Sequence, residues 1–86
     1  MASIEEVRAG IALATQKASE SLGALKQAQS HIEEAQQALQ QVTEGTSQAD
    51  AQDAVAQLQQ ATNSVNEVQQ LVQSAVSTAE SISQRL

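Results

Sequence analysis

From Ile4 onward, apolar side chains return on a seven-residue repeat. With the repeat lettered a to g from Ile4, column a holds Ile4, Ile11, Ala18, Leu25, Ile32 and Leu39. Column d holds Val7, Ala14, Ser21, Ala28, Ala35 and Val42, and only Ser21 departs from the pattern. Apolar residues spaced alternately three and four apart over several heptads predict one long amphipathic helix of the coiled-coil kind. The pattern stops at Glu44-Gly45-Thr46-Ser47. A second register then begins, with Ala51, Leu58, Val65, Val72, Ala79 and Leu86 in column a and Ala54, Ala61, Val68, Ala75 and Ile82 in column d.

The ends of both segments carry helix signals. Ser3 and Glu6 form an S-x-x-E capping box, and Glu5 and Glu6 sit where the helix dipole favours acids. Gly45 suits the left-handed position that closes a helix. Ser47 with Asp50 gives a second start signal, followed by Asp53, and Arg85 complements the dipole at the far end. The expectation is therefore an all-α, single-domain hairpin over residues 1–86, with a helix over about 3–43, a turn at 44–47 and a helix over about 48–86. A turn this short joins antiparallel neighbours. Each helix of roughly 40 residues would run about 60 Å.

The two registers predict their own alignment. Folding at Thr46/Ser47 sets Leu39 against Ala54, Ala35 against Leu58, Ile32 against Ala61, Ala28 against Val65 and Leu25 against Val68. Large residues then meet small ones in four of these five layers, all but Leu25 with Val68, which fills layers without voids.

Composition sharpens this picture. Ala and Gln occur sixteen times each and Ser ten times, and there is no Pro, Cys, Phe, Tyr or Trp. Ala and Gln favour helix, and no aromatic is available to enlarge a core. Disulfides cannot staple the chain, so a small Ala-rich seam calls for a further surface to cover it. Leu22, Val55 and Val76 in column e, with Leu71 and Ala24 in column g, are the candidate interaction residues beside the seam; Leu13 lies further out. The expectation is dimerisation into a four-helix bundle or docking of a helical protein partner. Pairs such as Gln36-Gln37, Gln40-Gln41, Gln59-Gln60 and Gln69-Gln70 read as a neutral solvated face.

The net charge is −6, spread over both halves. A uniformly acidic surface disfavours nucleic acid and anionic membranes. No apolar run approaches the roughly 18 residues of a membrane span, and no cleavable signal opens the chain, so a cytoplasmic location is expected, with signal-less export open. Catalytic chemistry is not expected. His31 and Glu34 share a helix face, but two ligands from one helix do not make a metal site. Glu5-Glu6 and Glu33-Glu34 point about 100° apart and do not converge on a bond. Glu44-Gly45-Thr46-Ser47 lacks the glycines and the Lys of a phosphate loop. No cofactor, metal or small-molecule substrate is expected.

The length, the hairpin and the turn at Gly45 resemble the WXG100-type small secreted proteins of type VII secretion. The Ala/Gln/Ser helices, the acidic-Gly-Ser turn and the terminal Arg85-Leu86 resemble small actinobacterial helical-hairpin proteins. The W-x-G turn motif and the C-terminal Tyr-x-x-x-acid export signal of the former are both missing. The resemblance implies a helical hairpin that pairs into a four-helix bundle and accompanies a larger secreted or toxin-like protein. The other expectation from the residues is a self-associating structural protein.

The seam generates one mutational expectation. Leu25→Asp or Leu58→Asp should unfold the hairpin by burying an unpaired charge. Leu22→Asp with Val76→Asp should leave it helical and change its oligomeric state. Circular dichroism with sedimentation distinguishes the two outcomes.

Overall fold

Two helices account for the fold in the computed structural model, which describes residues 2–43 and 49–86. Helix α1 spans Ile4–Thr43 and helix α2 spans Ala49–Arg85, and no strand occurs among the described residues. The expected turn at 44–47, including Gly45 and the Ser47 cap, lies outside them.

The start of α1 follows from its capping residues. Ser3 Oγ accepts a hydrogen bond from the Glu6 backbone N–H at 3.1 Å, and the Ser3 carbonyl accepts one from Val7 N–H at 3.0 Å. One side chain thus satisfies a donor that the first helical turn leaves orphaned. At the other end, Arg85 Nε donates to the Ser81 carbonyl at 3.4 Å, where positive charge favours the last carbonyls.

The helices pack antiparallel. Gln29 bonds Asn66 and Gln36 bonds Gln59, so seven residues forward on α1 match seven residues back on α2. The result is a rod of 64 × 18 × 14 Å with a radius of gyration of 19.4 Å. A compact chain of this length would have about 12 Å. The all-α hairpin expected from the pattern is what forms.

Its seam is rotated from the expected one. The half-buried residues of α1 are, in order, Ile11, Thr15, Ala18, Leu22, Leu25, Gln29, Ile32, Gln36 and Leu39, with Val7 and Ala28 beside them. These are columns a and e. On α2 the same columns supply Val55, Leu58, Thr62, Val65, Gln69, Val72, Val76, Ala79 and Ser83. Column d is largely turned outward, with Ala14, Ala35, Val42, Val68, Ala75 and Ile82 all exposed. Spacings of four then three (a to e to a) serve a two-helix seam as well as three then four, so the repeat alone does not choose between them. The half-buried sets match level by level in a register one residue away from the expected one: Leu39 with Val55, Ile32 with Thr62, Leu25 with Gln69, Ala18 with Val76 and Ile11 with Ser83.

This corrects the placement of three candidate interaction residues. Leu22, Val55 and Val76 are half-buried members of the seam and not an outer flank. Leu71 alone of the four stands open, at 70% exposure.

No apolar residue among those described is fully buried; only Thr62 is, at 6% exposure. Its hydroxyl donates to the Leu58 carbonyl at 3.2 Å, which satisfies the one polar side chain that the seam encloses. Full burial of a Leu or Val contributes about 1.5–3 kcal/mol, so half-buried layers deliver about half of that each.

Two stability predictions follow. A Cβ at Gly10 or Gly23 would meet nothing within 4 Å. Gly10→Ala and Gly23→Ala should each stabilise the helix by about 1 kcal/mol and raise the thermal midpoint by several degrees, measured by circular dichroism at one chain concentration. With Leu22 and Val76 in the seam, Leu22→Asp with Val76→Asp should abolish helicity as Leu25→Asp does, not spare it.

Candidate interaction surface

The rotated seam gives the hairpin two unlike broad faces. One is polar. Column e places Gln29, Gln36 and Gln69 in the seam, and their amides tie the helices together. Gln29 Nε2 donates to Asn66 Oδ1 at 2.9 Å, and Gln69 Nε2 donates to Gln29 Oε1 at 3.2 Å. Gln36 Nε2 donates to Gln59 Oε1 at 3.1 Å, and Gln59 Nε2 donates to Asn63 Oδ1 at 3.3 Å. Gln36 and Gln69 therefore do not belong to a purely solvated face, as their pairing with Gln37 and Gln70 in sequence suggested. Polar groups in a helical seam come at some expense in stability relative to aliphatic packing.

A groove of about 320 Å³ opens on the same side near the open end of the hairpin. Arg8, Thr15, Glu80 and Ser83 are among its lining residues. Ile11 and Ala12 line it as well, so its wall is part polar and part apolar.

The other face is apolar. Column d of α1 contributes Val7, Ala14, Ser21, Ala28, Ala35 and Val42, and column d of α2 contributes Ala54, Ala61, Val68, Ala75 and Ile82. The two columns lie on the same side of the rod, because Ala14 and Ala75 line one cleft together with Thr15, Ala18 and Val76. That cleft holds about 110 Å³ and its walls are almost wholly apolar. Val68 (42% exposed), Ile82 (40%) and Leu71 (70%) stand within two turns or so of it along α2, and Val42 (72%) is open toward the other end of the rod. None of the ten acids occupies column d. Most lie in columns b and c, on the polar face and the back of α1 and α2. Single exposed aliphatics are ordinary on a protein surface. A column free of charge along the length of a rod is less ordinary.

The titratable side chains among the described residues stand exposed. His31 Nδ1 lies 3.6 Å from Glu34 Oε2, with both side chains about three-quarters exposed at 78% and 73%. Lys17 and Glu20 are 3.5 Å apart and equally open. Exposed pairs of this kind contribute little. Among the described residues no three His, Asp or Glu side chains gather as metal ligands. No described helix is long and apolar enough to cross a membrane. Comparison with known protein families, curated proteins and solved structures finds no match to this chain.

Of the four candidate residues, Leu71 stands open on the apolar face and Val76 lines its cleft from the seam. Val68, Ile82 and Val42 were assigned to the seam by their column and are open instead. Column e of α2 held only a partial signal, because Thr62, Gln69 and Ser83 stand between and beside Val55 and Val76 and make it less apolar than column d.

The amide ladder generates a prediction. Gln29→Leu with Gln69→Leu should raise the urea midpoint, by about 1 kcal/mol in total, as half-buried amides give way to aliphatic packing. Equilibrium unfolding at fixed chain concentration measures the effect.

Proposed function

We propose that this chain is a non-enzymatic helical interaction module, coiled-coil-like in its packing, that docks a helical protein through its apolar face. The observation that carries the reading is the uncharged stripe along one side of a hairpin with no fully buried apolar residue among those described. Such a stripe exposes Val68, Ile82 and Leu71 to water unless something covers them. An amphipathic helix laid into a groove is the standard way to cover a face of this shape, with anchors at three- and four-residue spacing. An adaptor or an accompanying partner of a larger protein fits this description. The reading needs no cofactor, metal or small-molecule substrate.

The reading is tested by capturing partners of the tagged chain and identifying them by mass spectrometry, beside a Val68→Asp/Ile82→Asp variant. Both residues are outside the seam, so the variant's helicity should match that of the parent. The expected result is that the partners bound by the parent are lost. A variant that retains its helicity and captures the same proteins would remove the apolar face from the interaction.

A further inference from the structure

The apolar face is patterned, and the pattern fits itself. We infer that a second copy of this chain covers the face, packed antiparallel about a two-fold axis that crosses α2 between Leu71 and Val72 and passes α1 beside Leu22. The inference rests on the docking reading above and names the occupant.

The argument begins with where large and small residues fall. On α2, column d alternates alanine with larger side chains: Ala61, Val68, Ala75, Ile82. Val68 and Ala75 share the midpoint of Ile82 and Ala61. One two-fold axis at that midpoint therefore sets Val68 of each copy against Ala75 of the other, and Ile82 against Ala61. Ala75 is a wall of the 110 Å³ apolar cleft, so Val68 arrives over a depression. Self-complementarity of this kind is what a two-fold interface requires.

The same axis is tested on α1, where it was not fitted. Leu22 stands level with Val72, so the axis passes α1 there. It sets Ser21 against Ala24 of the second copy, Ala14 against His31, Ala28 against Lys17, and Val7 over Ala35 and Ala38. No two bulky residues collide. The one large apolar residue at the axis, Leu71, meets its own equivalent, and it is 70% exposed in the single hairpin. Its column lies beside column d on the same face.

Extent and charge agree. A standard interface covers about 800 Å² on each partner. The hairpin offers a face 64 Å long and 18 Å wide, and an axis near mid-length lets the two rods overlap along almost all of it. Each chain carries −6, so two copies repel unless their acids face apart. Column d has none. The flanking column g carries one acid, Asp50, which overhangs the open end of the second copy, and the basic or titratable Lys17, His31 and Arg85.

Two measurements decide the matter. Sedimentation of the parent chain should give a dimer at micromolar concentration, and Val68→Asp should weaken the dimer by roughly thirtyfold or more without loss of helicity. The chain contains no cysteine, so a single one reports geometry without background. Leu71→Cys should cross-link to itself rapidly under mild oxidation, whereas Gln60→Cys, on the back of α2, should not. A chain still monomeric at about 100 µM overturns the pairing. So does a dimer in which Gln60→Cys links as fast as Leu71→Cys. If the chain is monomeric yet loses a captured protein on Val68→Asp/Ile82→Asp, only the pairing fails. If those substitutions change neither capture nor sedimentation, the docking reading fails with it.

Discussion

Two helices lying side by side shield each other along one stripe only, and everything else about this molecule depends on that limit. A side chain between them is covered by one neighbour and left open to water on the broad faces. The absence of any fully buried aliphatic among the described residues follows directly. So does the enclosure of Thr62, a side chain short enough to be covered from one side and able to satisfy its own hydroxyl on the preceding turn. A globular domain with three or four helices escapes the limit by surrounding a centre. A hairpin does not, and its remaining apolar surface must go somewhere.

Much of the architecture was legible in the residues. The capping box at Ser3, the seven-residue repeat and its interruption near Gly45 gave the two helices to within a residue or so of their observed bounds. Their antiparallel pairing was legible too. The phase of the seam was not. Column d of α1 is mostly alanine, which packs equally well in a seam or on its edge. Column e mixes Leu22, Val55 and Val76 with Gln29, Gln36 and Gln69, and the glutamines disguise it as surface. Hydropathy ranks a Gln below an Ala at every core position. The pairing energy of two amides that meet across the seam appears only when both helices are in place, and a single-helix pattern holds no trace of it. That is why the face now assigned to interaction carries Val68 and Ile82, while Leu22, Val55 and Val76 moved inside.

The same amides add a polar component to the pairing of two alanine-rich stripes. Gln29 and Gln36 lie seven residues apart on α1, and Asn66 and Gln59 seven apart on α2, so sliding by a heptad would exchange these pairs for Gln36 with Asn66 or Gln29 with Gln59. The amides therefore add contacts without choosing among heptad-related alignments, and the aliphatics provide the attraction.

The level-by-level construction also governs how the rod comes apart. Each layer touches only the layers above and below it, as in a repeat protein, so opening proceeds stepwise from either end without disturbing the middle. Ile4, Val42 and Leu86 lie at the extremities and are poorly covered, whereas Thr62 sits well inside. Amide hydrogens should accordingly exchange in a gradient along the axis, fastest at the tips and slowest around Ile32 and Thr62. A protease would then find its first sites at the ends of the rod long before the centre yields.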